Sequence, residues 1–262
     1  MISQSKSCAT LKIDDGVARI TLDNPPDGLM NAALLAQLHD LLSGVEAACD
    51  AGRSRVLVID SANQGAFIRH HDVREIAAAM ESDGRNATGE VHALYDRLAA
   101  LPIPSIAVVA GACMGAGHEL ALACTLRYAS RDAGPFGFPE VTLGIVPGGG
   151  GTQRAPRAIG ADATLELMLT GRLFDAAEAF RLGFFHALSD DVSQHATRIA
   201  KRIAARPPAA VAAIRRLIDT ASRTSLDEGC AAEQAEFSAL LQHEETRERI
   251  TTFAAAGFPV VR

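Results

Sequence analysis

The stretch from Ser105 to Thr125, SIAVVAGACMGAGHELALACT, constrains this chain more than any other. Its opening run, Ser105 to Ala110, is short, apolar and β-branched, the pattern of a strand buried on both faces. Gly111, Gly115 and Gly117 then break the run. Glycine permits backbone angles and close approaches that a side chain forbids, and it leaves main-chain N–H groups free to point at a ligand. From His118 to Cys124 the residues are apolar almost all round, as in a buried helix, yet Glu119 lies in the first turn. A carboxylate there costs free energy unless it is paired or hydrogen-bonded. Either Glu119 is a first-turn acid favoured by the helix dipole, or it is a general acid or base beside a glycine turn able to stabilise an oxyanion.

At 262 residues the chain can bury one sizeable core. A net charge of −6, with no basic run interleaved with aromatics, argues against a nucleic-acid surface. Cys8, Cys49, Cys113, Cys124 and Cys230 form no C-x-x-C pair and have no histidines at zinc-site intervals, so they read as reduced thiols and no metal site is expected. No apolar segment has signal-peptide or membrane-spanning length, which points to the cytoplasm and to no membrane partner.

Along the chain, residues 10–22 alternate as two strands joined at Asp14-Asp15-Gly16, a strong hairpin signal. Asn31 is placed to cap a helix running toward Gly52, and residues 55–60 read as a buried strand. Helices are expected near 72–80 and 90–100, separated by a polar stretch from Glu81 to Gly89. After the central stretch come a strand at 126–129 and a four-glycine run ending at Gly151. Beyond it helices are expected near 161–170, 175–182, 192–205, 208–221 and 226–256, with one strand at 184–188. The expected fold is α/β, with a core of β-β-α character over 1–190 and a helical region over 191–262 whose apolar stripes suit packing against a neighbour.

A second carboxylate stands in an unusual place. Glu140 follows Phe138-Pro139 in an apolar setting and precedes the glycine-rich loop from Gly144 to Gly151. An acid at a helix start after proline is common, but two such glutamates, each attached to a glycine-rich turn, could pass and receive protons as a pair.

These residues carry a resemblance. Asn24-Pro-Pro with Met30-Asn31-Ala32, Ile106 to Gly111 with Gly115-Ala-Gly-His-Glu119, Phe138-Pro-Glu140 with Leu143 to Arg154, and Leu169-Thr-Gly171 with Leu182-Gly183 resemble, in order and almost end to end, the enoyl-CoA hydratase/isomerase (crotonase) superfamily. The resemblance implies a spiral of β-β-α turns with a C-terminal helical trimerisation region, a homotrimer or homohexamer. It also implies an acyl-CoA thioester substrate, with coenzyme A as part of the substrate and no permanently bound cofactor. Position by position it puts the oxyanion-hole donors at the backbone N–H groups of His71 and Ala116. Fixed donors there stabilise an enolate oxygen more than a ground-state carbonyl, each by about 3 kcal/mol. It makes Glu119 the base on the attacking water and Glu140 the acid toward the α-carbon, hence a 2-enoyl-CoA hydratase. Substrate contacts fall on Met30, Phe67, Arg69, His70, Asp72, Gly115 and Gly148.

The chain departs from the family's pattern in places. Arg69-His70-His71-Asp72 replaces the usual small residues before the first donor, so a histidine pair could narrow the site or hydrogen-bond a polar acyl group. Ala116 replaces the middle glycine of a three-glycine turn, and Phe253 to Gly257 lacks a lysine many members place near the coenzyme A phosphates. Isomerisation, thioester hydrolysis, or a silent homologue acting as an assembly partner are the other readings. Phosphate-loop and serine-hydrolase motifs are absent.

Overall fold

The computed structural model describes residues 7–24, 26–81 and 89–257. Most of the expected polar connection between Glu81 and Gly89 therefore lies outside the described residues. Within them the chain divides into two compact units, Met1–Ala204 and Ala205–Arg262.

The first unit opens with the hairpin β1 (Ala9–Asp14) and β2 (Val17–Leu22), closed by Asp15 and Gly16, both at positive φ. That is the backbone a tight two-residue hairpin turn requires. Helix α1 (Ala32–Asp50) follows, with the Asn31 side chain accepting the Leu34 N–H. Three successive turns of chain then each lay one strand in a large sheet, a shorter strand in a small sheet, and helix behind them. The first is β3 (Val56–Ser61), β4 (Ala66–Ile68), α2 (Val73–Glu81) and α3 (Gly89–Ala100). The second is β5 (Ser105–Val109), β6 (Ala112–Met114) and α4 (Ala116–Ala123). The third is β7 (Leu126–Ser130), β8 (Phe136–Gly137), a 3-10 turn over Pro139–Leu143 and α5 (Gly151–Ile159). Helices α6 (Ala161–Thr170) and α7 (Ala176–Leu182), strand β9 (Ala187–Ser189) and helix α8 (Val192–Ala204) complete the unit.

The large sheet has the order β1-β2-β3-β5-β7-β9, parallel except for the hairpin, and the small one the order β4-β6-β8, all parallel. Strand β5 is buried along its whole length, as its apolar run requires. Leu34, Leu38, Leu57, Tyr95, Leu120 and Phe138 lie in the main core; α8 covers the other face through Val192, Ala196 and Ala200, against Val56, Val58 and Ile106. Helix α8 thus belongs with the α/β core, and the division falls after Ala204 rather than at residue 190.

Three elements depart from the sequence-based expectation. The small sheet was not foreseen: its strands are two or three residues long, too short to show a period. Residues 151–159 form α5 although they include Pro156. The expected single helix over 226–256 is two, α10 (Leu226–Leu240) and α11 (Glu244–Ala255), which follow α9 (Pro208–Ala221) in the second unit. Helix α10 starts at a capping box between Ser225 and Glu228, and Arg216 of α9 pairs with Glu236 of α10.

Candidate active site

The small sheet builds the site. In each of the three turns the chain leaves the end of a short parallel strand and starts a new helix or loop there: after β4 at Arg69–His71, after β6 at Gly115–Ala116, after β8 at Phe138–Glu140. Hydrogen bonds hold the three exits side by side. Met114 N–H donates to Arg69 O at 3.1 Å, and Gly115 N–H to Gly137 O at 3.0 Å. A Cβ on Gly117 would overlap Ile68 O, so only glycine lets α4 start this close to β4.

Two N–H groups are left over by this geometry. His71 forms a parallel bridge with Met30 that uses His70 O, which accepts Met30 N–H at 2.9 Å, and Asp72 N–H, which donates to Met30 O at 2.7 Å. That pattern leaves the His71 N–H facing away from Met30. Ala116 is the first residue of α4, so its N–H has no partner inside the helix. Among the described residues neither N–H donates to a recorded acceptor. Gly115, which precedes Ala116, has φ +47° and ψ −119°, a conformation natural only to glycine.

Glu119 projects from α4 into the core with 2% of its surface exposed. Its Oε1 accepts the N–H groups of Gly149 and Gly151, each at 2.7 Å. Bonds of this kind to an ionised carboxylate contribute ~1.5–3 kcal/mol each. Burial nonetheless outweighs them and raises the Glu119 pKa, with the two N–H groups and nearby His92 and Arg154 opposing. Arg154 of α5 donates to Gly149 O at 2.8 Å and to Asp96 of α3 at 2.6 Å, bracing the loop that holds Glu119.

Glu140 is held differently. It lies in the first turn after Pro139, and its Oε1 faces the α-carbon of Gly115, where any side chain would collide with it. Its Oε2 is buried with no hydrogen-bond partner among the described residues. Burial, reinforced by the negative Glu119, pushes its pKa up from 4.5 to about 7, against a bond from its own backbone N–H. Gly115 joins the two acids: its carbonyl accepts the Glu119 N–H at 2.9 Å while its α-carbon abuts Glu140.

The other expected site residues fall in four groups. Met30 and Phe67 are core side chains beneath the site. Asp72 caps the start of α2 by accepting Arg74 N–H at 3.0 Å and pairs with the Arg74 guanidinium, which holds its carboxyl at about 2. Arg69 is exposed and donates from Nε to Asp27 O, and Gly148 is half-buried ahead of Gly149. In the histidine pair, His70 Nδ1 meets His71 O at 2.7 Å, while His71 Nε2 lies 3.6 Å from Glu75, whose carboxylate also accepts the Ala32 N–H. Burial lowers the His71 pKa. Tyr95, Asp96 and Arg154 carry polar contacts of the site that sequence reasoning missed; no motif signals a hydroxyl or guanidinium whose target lies in another turn of the spiral. His118 was also unremarked. It is buried, stacks on Phe138 at 4.9 Å between centroids and packs on Phe184, and burial depresses its pKa to about 3. Among the described residues no three His, Cys, Asp or Glu side chains are grouped to hold a metal ion.

A spiral whose exits bring a buried and a half-buried glutamate and two unengaged N–H groups together defines a class, and the comparisons with known proteins give the same one. The enoyl-CoA hydratase/isomerase family profile matches residues 12–259, so the chain belongs to that family. It is 31% identical to a probable mitochondrial enoyl-CoA hydratase 2 of Arabidopsis thaliana over 94% of this chain and 82% of that one. It is 32% identical to an enoyl-CoA isomerase/hydratase of Mycosarcoma maydis over 94% and 92%. It also matches, at 37% identity, 26% of the fatty acid oxidation complex subunit alpha of Shewanella loihica with 71% of its own length. The fold superposes on an enoyl-CoA hydratase from Bacillus anthracis with a TM-score of 0.88 at 29% identity, covering 95% of this chain and 97% of that one. The structure is therefore a crotonase fold with a helical C-terminal region.

Proposed function

We propose that this member of the family hydrates the 2,3 double bond of a 2-enoyl-CoA thioester. The observation that carries the proposal is the pair Glu119 and Glu140, set on either side of the Gly115–Ala116 turn and differing in how each oxygen is used. Glu119 has one oxygen fixed by two N–H groups, which leaves Oε2 to take a proton from water as the water oxygen bonds to the β-carbon. Glu140 is a neutral acid up to about pH 7, with an unpartnered oxygen from which a proton passes to the α-carbon. The N–H groups of His71 and Ala116 receive the thioester oxygen as it gains charge. Glu119 then gives up the proton it took and Glu140 regains one, directly or by exchange with solvent, so that both acids return to their starting states and one water has been added in all.

Coenzyme A enters this scheme as part of the substrate, with no resident cofactor. The N–H contacts around His70, His71 and Gly148 are the proposed contacts to the thioester portion. We extend the reading to assembly: in the second unit Ile214, Ile218, Phe237 and Ile250 are exposed, which supports a homotrimer or homohexamer through these helices. A cytoplasmic location is part of the same proposal; among the described residues no helix is long and apolar enough to cross a membrane.

The test is the loss of conjugated-enoyl absorbance on mixing the protein with crotonyl-CoA and with longer and aromatic 2-enoyl-CoA thioesters. Hydration predicts turnover that Glu119→Gln abolishes. Absorbance gained from a 3-enoyl-CoA, with none lost from the 2-enoyl panel, would assign isomerisation instead, the second activity in the Mycosarcoma relative's name.

A further inference from the structure

Helix α3 touches both halves of the site through two consecutive residues. Tyr95 lies on its buried face and is itself fully buried; its hydroxyl donates to Ala116 O at 2.7 Å. Asp96, the next residue, is exposed and accepts from Arg154 at 2.6 Å, and Arg154 in turn donates to Gly149 O at 2.8 Å. One residue therefore anchors the turn that presents the Ala116 N–H, and its neighbour anchors the loop whose N–H groups grip Glu119.

The Tyr95 ring reaches the second half as well. A Cβ on Gly149 would lie 2.7 Å from Tyr95 Cε2 and 2.7 Å from Glu119 Oε2, so ring, loop and carboxylate meet at one point. Among the described residues the other bonds that tie the Ala116 turn are backbone bonds: Gly115 N–H to Gly137 O, and Glu119 N–H to Gly115 O. The Tyr95 hydroxyl is the side-chain bond that fixes the carbonyl of the donor residue itself.

We propose that Tyr95 is a positioning residue that aims the Ala116 N–H at the thioester oxygen, and that Asp96, through Arg154, sets the loop that grips Glu119. The proposal rests on the oxyanion-hole reading above. It predicts that the two residues separate: Tyr95 governs stabilisation of charge on the thioester oxygen, and Asp96 governs proton transfer by Glu119. A small misplacement of a group that acts in the transition state lowers kcat more than it raises KM.

The experiment uses the full chain and two readouts. The first is binding of acetoacetyl-CoA, whose enolate absorbs in the ultraviolet and places charge on the thioester oxygen whichever reaction the protein performs. The second is the pH profile of crotonyl-CoA turnover. Tyr95→Phe keeps the ring and removes one oxygen, and it should reduce the bound enolate fraction and kcat by ~10-fold with KM within a factor of about two. Asp96→Asn, at an exposed position, should leave the enolate fraction unchanged and move the acid limb of the pH profile. An enolate fraction in Tyr95→Phe equal to that of the wild type overturns the proposal, as does an unmoved acid limb in Asp96→Asn. Wild-type protein that binds acetoacetyl-CoA without enolate absorbance overturns the oxyanion reading and this proposal together. Wild-type protein that shows the enolate but hydrates no enoyl-CoA overturns hydration alone, and the Tyr95 arm is then decided by the enolate fraction.

Discussion

The two glutamates lie on either side of one glycine, yet the chain treats them oppositely. Glu119 sits in a helix, more deeply buried, with one oxygen gripped by two backbone N–H groups and a braced loop beyond it. Glu140 sits in a single 3-10 turn with one oxygen unpartnered and the negative Glu119 nearby. Both pKa values rise through burial, but two loop N–H groups oppose the rise at Glu119, whereas only the residue's own backbone N–H opposes it at Glu140. The difference fits the proposed roles: the N–H groups that grip Glu119 favour its charged form, the form that accepts a proton, while Glu140 keeps its proton up to about pH 7 and so has one to give.

The largest expected effect comes from erasing either member. Glu119→Gln and Glu140→Gln should each lower hydration of crotonyl-CoA by about 10²- to 10⁴-fold, measured as kcat, while acetoacetyl-CoA still binds. Equal activity in either variant would remove that glutamate from the chemistry.

Next comes the glycine between them. Gly115→Ala places a methyl against Glu140 Oε1 at a φ of +47°, so it should cost roughly 1–3 kcal/mol in urea unfolding and lower kcat by displacing Glu140. Unchanged stability would show that the turn is looser than described.

The pH dependence sharpens the contrast. Activity that needs Glu140 protonated should fall as pH rises through about 7. Stability carries the same sign: a carboxyl whose folded pKa is raised binds its proton more tightly when folded, so its contribution is full below the ordinary value of 4.5 and lost as pH rises to about 7. Discounted for partial exposure, the loss is of the order of 2 kcal/mol and should vanish in Glu140→Gln. Replacing Glu119 by glutamine removes the neighbouring charge and should lower the Glu140 pKa, read by carboxyl-stretch infrared difference spectra.

The smallest effect is a control outside both regions. Ser225→Ala removes the α10 capping box, and should cost ~1 kcal/mol without moving the pH profile.

Much of this contrast was legible in the residues themselves. A glutamate in an apolar helix and another after Phe-Pro stand out because burial of a carboxylate demands an explanation. The Asp15-Gly16 turn and the Asn31 cap were legible because their chemistry is local. The small sheet was not: β4, β6 and β8 have too few residues for alternation to register, and their pairing is set by where the longer strands end. Helix α5 was hidden by its glycine approach and Pro156. Tyr95 and Arg154 were hidden for another reason, since each reaches a different turn of the spiral, Tyr95 at the Ala116 carbonyl and Arg154 at the Asp96 carboxylate, which no local pattern encodes.

The most direct measurement is exchange of the α-protons of butyryl-CoA with deuterated water, followed by NMR in the two variants. Butyryl-CoA cannot be hydrated, so exchange reports the carboxyl group that serves the α-carbon together with the oxyanion donors. The account predicts that Glu119→Gln loses hydration yet keeps exchange, while Glu140→Gln loses both. Exchange that survives in Glu140→Gln and disappears in Glu119→Gln would reverse the two roles and contradict it.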